Sequence, residues 1–135
     1  MSNLLVSYIV PILCAYIVSI IIKTIAYTYE YKRFTLIQSL KNGGLSSGHT
    51  VFVSSLTTAV WWDQGLSALF IVALCFSIVV AHDSCFLRNQ VGKQGKLLEE
   101  LTGTKFSKAG HSVIEVFIGI IVGVGISSLC IWWFV

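Results

Sequence analysis

Two histidines each stand at the head of an apolar stretch, with small residues in front. The segment Gly43-Gly44-Leu45-Ser46-Ser47-Gly48-His49-Thr50 leads into one stretch, and Gly110-His111-Ser112-Val113-Ile114-Glu115 opens another. Glycines permit unusual backbone angles. Free N–H groups at a helix N-terminus attract anions, phosphate above all. Ser46 and Ser47 suit capping of the helix or donation to phosphate oxygens. A plain helix cap with an interfacial histidine explains the first segment equally well. In the second, His111 and Glu115 are four residues apart, hence expected on one helix face. The carboxylate can accept from one ring nitrogen and leave the other unprotonated and aimed outward, the arrangement of a nucleophile or general base. The bland alternative is an interfacial ion pair, which two separate helix-start histidines at one face make weaker. Asp83 and Arg88 frame the end of a third apolar stretch. Arginine suits bidentate contact with phosphate oxygens, although membrane topology alone also places arginines at such ends. Lys23 offers a point charge, or simply snorkels to the interface. His82, beside Asp83, reads as an interfacial residue with no assigned role.

The elements that must position these groups are membrane helices. Hydrophobic residues make up 56% of the 135 and charged residues 11%, against about 25% charged in a soluble domain. Four apolar runs are expected as helices at about 4–29, 45–62, 66–87 and 112–134, and such lengths suit spanning segments. The expected fold is all-α: one membrane domain over 1–135, an integral four-helix bundle. An interfacial amphipathic segment lies between helices 3 and 4, suggested by Leu97, Leu98 and Leu101 among charges. Thr50, Ser54, Ser55, Thr57 and Thr58 make the second run the most polar, so it should face other helices. Gly119 and Gly123 form a G-x-x-x-G spacing suited to close packing. Trp61-Trp62 and Trp132-Trp133 fit an interfacial aromatic belt. Pro11 lies inside the first run, where a bilayer helix can tolerate it. The N-terminus lacks the basic region and cleavage site of a signal peptide, so the first run is expected to be retained. Cys14, Cys75, Cys85 and Cys130 form no C-x-x-C pair and read as small apolar residues.

Four passes with short connections bring the end of helix 1, the start of helix 2, the end of helix 3 and the start of helix 4 to one side. All three histidines, all nine Lys/Arg and five of the six acids then share one face, with Asp63 opposite. The positive-inside rule makes that face cytoplasmic and puts both termini on the other side. Ionisable groups inside spanning segments are costly and suggest function, Glu115 more than Lys23 because a carboxylate cannot snorkel far.

Taken together, these segments resemble the divergent branch of the type 2 phosphatidic acid phosphatase superfamily, the group related to vanadium haloperoxidases. Ser46-Ser47-Gly48-His49 is similar to the superfamily's P-S-G-H, with Ser for Pro, and His111 to Glu115 to its H-x-x-x-D, with Glu for Asp. The branch's late-helix Lys, G-G-x-P-S-S-H, D-x-x-G-V-R, K-Q and G-H-T-P-x-E-V correspond to Lys23, Gly43 to His49, Asp83 to Arg88, Lys93-Gln94 and Gly110 to Val116. The chain departs from the branch at Ser46, at Phe86 and at Ser112-Val113. The superfamily's arginine before the second histidine is absent, and Lys105, Lys108 or Arg88 would take its place. The resemblance implies that His111 attacks phosphorus, Glu115 orients it and His49 protonates the leaving oxygen. Lys23, Arg88 and the Ser47 and Gly48 amides would hold the phosphoryl oxygens, with Asp83 in support.

The expected function is therefore metal-independent hydrolysis of a lipid phosphomonoester or pyrophosphate through a phosphohistidine, with no cofactor and a membrane lipid as substrate. The alternative is a non-catalytic membrane protein binding anionic headgroups or a protein partner. A channel or transporter would need several copies of so short a chain, which leaves a homo-oligomer open. Nucleic-acid binding is a poor explanation, because the cations do not line an otherwise polar surface.

Overall fold

The computed structural model describes residues 5–32, 46–104 and 111–134. Among these residues every element is helical. Helix α1 spans Val10–Tyr31 and is preceded by one wider π turn, Leu5–Ile9. Pro11 sits in its first turn. Proline cannot donate to the carbonyl four residues back and its ring crowds that turn. The wider turn just before it relieves both problems. Helix α2 is Gly48–Gln64, helix α3 Ala68–His82, helix α4 Arg88–Thr102 and helix α5 Val113–Phe134.

Three helical stretches are long and apolar enough to cross a membrane: Val6–Tyr29, Ala68–Thr102 and Val113–Phe134. The middle one differs from expectation. No break separates the third apolar helix from the amphipathic segment, because α3 continues through a π turn, Asp83–Leu87, directly into α4. Its 35 residues extend about 52 Å, well beyond the roughly 30 Å of a hydrocarbon core. The polar end, with Lys93, Lys96, Glu99 and Glu100, must therefore lie outside the hydrocarbon, and α4 buries no residue.

Helix α2 is the centre of the bundle, packed against α1, α3 and α5. Thr50, Ser54, Ser55, Thr57 and Thr58 are all buried on it, as its polarity predicted. Each hydroxyl needs a partner where water is scarce, and neighbouring helices supply several. Thr57 Oγ1 lies 2.8 Å from Ser77 Oγ and donates to the Ala73 carbonyl at 3.2 Å. Ser127 donates to the Ser55 carbonyl at 3.2 Å. Together with the Tyr8–Asp63 contact just before α1, the Ser19–Ser46 contact of α1 and the Ser47–Glu115 contact of α5, these pairs give the directions: α5 runs parallel to α2, while α1 and α3 run antiparallel to it.

The α2–α5 contact is the tightest. A Cβ added at Gly119 would fall 2.9 Å from the Ser47 carbonyl oxygen, and one at Gly123 would fall 2.7 Å from that of Val51. The G-x-x-x-G spacing thus lets two backbones approach closer than any side chain would allow. Helix α2 ends at Gly65, whose φ of 59° favours glycine. Ser67 then caps α3 by accepting from the Phe70 N–H at 3.2 Å. At this end Tyr8 donates to Asp63 at 2.5 Å, tying α1's approach to α2. Trp61, Trp62, Trp132 and Trp133 are exposed around the same end.

Candidate functional site

The opposite end gathers the middle of α1 around Ser19 and Lys23, the starts of α2 and α5, and the turn from α3 to α4. Three ties assemble it. The Ser46 and Ser19 hydroxyls, both buried, lie 3.0 Å apart and pin the approach to α2 onto α1. The Ser47 N–H donates to the Glu115 carbonyl at 3.1 Å, joining the starts of α2 and α5. The His111 N–H donates to the Ser84 carbonyl at 3.2 Å, joining α5 to the π turn. The third tie explains the π turn. In a regular α-helix the Ser84 carbonyl would take the N–H of Arg88. That N–H reaches back five residues to Asp83 instead, and the Ser84 carbonyl turns to His111.

His111 Nδ1 lies 2.9 Å from Glu115 Oε2. A carboxylate only accepts, so Nδ1 carries the proton, and in the neutral ring Nε2 keeps its lone pair. The pair forms differently from expectation. His111 lies just before α5 rather than on its face, and the two side chains meet through a capping box. Glu115 Oε2 also accepts the Ser112 N–H at 3.1 Å, while the Glu115 N–H donates to Ser112 Oγ at 3.3 Å. That reciprocal pattern fixes the first turn of a helix. The carboxylate that orients the histidine therefore also holds the helix start, and the Ser-x-x-Glu spacing of Ser112 and Glu115 was its signal in the sequence.

Lys23 is buried on α1, and its Nζ would be 3.4 Å from a Cβ placed on Gly48. Glycine at that position leaves room for the ammonium beside the N-terminus of α2. Lys23 is within electrostatic reach of Glu115. His49 is exposed and within reach of Arg88, His111, Lys23 and Asp83. Arg88 Nε donates to Asp83 Oδ2 at 2.8 Å, so Asp83 tethers the guanidinium, with both side chains more than a third exposed.

Two expectations about α2 change. Ser47 occupies the N-cap position, but its hydroxyl makes no cap bond. Its amide is engaged by Glu115, which leaves the Ser47 hydroxyl and the first-turn N–H groups of α2, Gly48 among them, as local donors. Three buried hydroxyls on the elements of this end, Ser47, Thr50 and Ser84, find no partner among the described residues. Burying a hydroxyl unpaired costs on the order of 1–3 kcal/mol, so each calls for a partner beyond the described residues. Ser84 carried no signal by residue type alone. Gly43, Gly44, Lys105, Lys108 and Gly110 lie outside the described residues. Among the described residues no cluster of three His, Cys, Asp or Glu could hold a metal ion.

The model of the Divergent PAP2 family matches residues 4–126. The uncharacterized membrane protein YuiD of Bacillus subtilis (strain 168) is 28% identical, over 68% of this chain and 73% of its own length. No solved structure matches. Apolar helices and a membrane-protein relative make this an integral membrane protein. With the family's pattern covering nearly all of its length, the chain belongs to the Divergent PAP2 family.

Proposed function

We propose that this protein is a lipid phosphate phosphatase whose nucleophile is His111. The observation that carries the reading is the His111–Glu115 pair, with Nδ1 held at 2.9 Å by a residue that also meets the start of α2 and lies within electrostatic reach of the buried Lys23. His111 Nε2 attacks phosphorus, and the bond from phosphorus to the ester oxygen breaks. His49 gives its proton to the departing oxygen. The phosphohistidine is then hydrolysed by a water whose proton returns to His49, releasing inorganic phosphate. Lys23, Arg88, the Gly48 N–H and the Ser47 hydroxyl stabilise the charge on the phosphoryl oxygens. Glu115 stabilises the imidazolium character that develops on His111. Asp83 keeps Arg88 in place. No step calls for a metal or cofactor.

The reading takes the whole chain as one membrane domain in which α2, 17 residues and about 26 Å long, crosses as a fourth helix shielded by the others. The site then lies at headgroup level, which suits a lipid phosphate.

The test is phosphate release from a panel of lipid phosphates in detergent, without added metal, for the wild type and for His111→Ala. Release by the wild type alone, with a loss of at least about 10³-fold in the variant, is expected for a nucleophile. Equal release from both would refute the assignment. Tight binding of lipid phosphates without turnover would favour the alternative of a headgroup-binding protein.

A further inference from the structure

A cavity of about 500 Å³ opens between the start of α2 and the α3–α4 turn. That size falls in the range of small-molecule sites, about 300–1,000 Å³. Its polar rim is His49, His82 and the paired Asp83 and Arg88, and its wall is Ile78, Val79, Val80 and Leu87. His111 and Glu115 do not line it. His49 thus borders this largely apolar cavity while lying within electrostatic reach of His111.

In an in-line displacement the leaving oxygen departs on the side away from the nucleophile. The general acid must reach that oxygen. Since His49 borders the cavity, the leaving group belongs in it. We propose that this groove is the subsite for the leaving alcohol, and that it takes a single hydrocarbon chain laid along Ile78, Val79 and Leu87; the inference rests on the phosphatase reading above.

The wall and rim fit that occupant. Ile78, Val79 and Leu87 are 60%, 64% and 61% exposed, so among the described residues no protein group fills the wall and a chain can lie along it. They belong to a membrane-spanning stretch, with the charged Arg88 and the His49 ring at its polar end. An amphiphile has the same order, an anionic head above an apolar tail. The His82 ring stacks on Phe86, with centroids 4.6 Å apart and planes 27° apart. That stack gives the groove a rigid lip beside the head.

The experiment uses the full chain in nanodiscs. It compares kcat/KM for dodecyl phosphate and butyl phosphate, and measures equilibrium binding of dodecyl phosphate. The variants are Val79→Trp and Leu87→Trp, which fill the groove from exposed positions, and Val72→Trp, an exposed control on the same helix but outside the lining. The dodecyl-to-butyl ratio should fall at least tenfold in both groove variants and stay at the wild-type value in Val72→Trp. An unchanged ratio with turnover intact overturns the groove and leaves the phosphatase standing. If the wild type hydrolyses neither phosphate, the phosphatase reading fails and binding decides the groove. Saturable dodecyl phosphate binding weakened tenfold by either groove variant then sustains it as a chain site, while binding indifferent to both, or none at all, overturns it.

Discussion

Glu115 serves two ends with one carboxylate, and the two can be separated. One Oε2 accepts from His111 Nδ1 and from the Ser112 N–H. Glutamine at the third position of a capping box still closes it, because its side-chain oxygen also accepts. A neutral amide does not stabilise an imidazolium. Glu115→Gln should therefore keep stability within about 0.5 kcal/mol of the wild type yet lower phosphate release by at least about 10²-fold. Glu115→Ala should lose both, with the missing cap costing about 1 kcal/mol. Thermal melts beside phosphate release check the pair. A Glu115→Gln protein as active as the wild type would reduce the carboxylate to a structural cap. At His49 the same reasoning predicts that His49→Ala slows turnover by about 10²–10⁴-fold. A substrate with a good leaving group, such as an aryl phosphate, should be slowed less, because it needs less help from an acid. Equal slowing of alkyl and aryl phosphates would argue against a general-acid role.

Among the elements, the close approach of α5 to α2 makes the sharpest prediction. A Cβ at Gly123 would meet Ser54 Oγ and the Val51 carbonyl, the latter at 2.7 Å. The serine hydroxyl can rotate away; the carbonyl belongs to a packed helix and cannot. At Gly125, two residues on, nothing lies within 4 Å. Gly123→Ala should destabilise the protein by about 1–3 kcal/mol, the usual penalty for overpacking. Gly125→Ala should be neutral or slightly stabilising, because alanine is the better helix former. Melting curves of the two variants in one detergent make the comparison, and equal midpoints would refute the close contact. This contact was legible in the sequence, since a G-x-x-x-G spacing needs only the helical period to be read. So was the burial of the hydroxyl-rich face of α2, because polar groups in a membrane bundle have nowhere else to go. The π turn at Asp83–Leu87 was not legible. It arises from a bond between the Ser84 carbonyl and His111, 27 residues away in the chain, and no local preference of Asp-Ser-Cys-Phe-Leu announces it. For the same reason the chain's third apolar helix looked as though it should stop before Arg88, where charge begins. Charge marks where a helix leaves the hydrocarbon, whereas the helix itself ends at Gly103, with φ at 70°.

Across the whole molecule, the two ends differ in kind. One end carries Lys23, Lys32, Arg88, Lys93 and Lys96, together with all three histidines. The other carries four exposed tryptophans and the Tyr8–Asp63 tie. The candidate groups came together in the fold because antiparallel α1 and α3 and parallel α5 all bring their polar ends to the start of α2. That convergence followed from counting four passes, although the pairing of His111 with Glu115 through a capping box did not. A charge asymmetry of this kind sets orientation when the cations lie close to the membrane ends. The cationic end should therefore face the cytoplasm, and with it the candidate site. The chain termini should both face away from it, since α1 begins and α5 ends at the tryptophan end. A reporter active only in the cytoplasm, fused after Val135, should stay silent, whereas the same reporter joined after a truncation at Gly103 should be active. The two fusions differ in whether α5 is made, so activity from the truncation alone would place the α4 end inside and α5 as a crossing. Activity from the Val135 fusion alone would invert the orientation, and like signals from both would mean that α5 does not cross. In the inverted case lipid phosphates of the outer leaflet, not the inner, would be the ones within reach of His111.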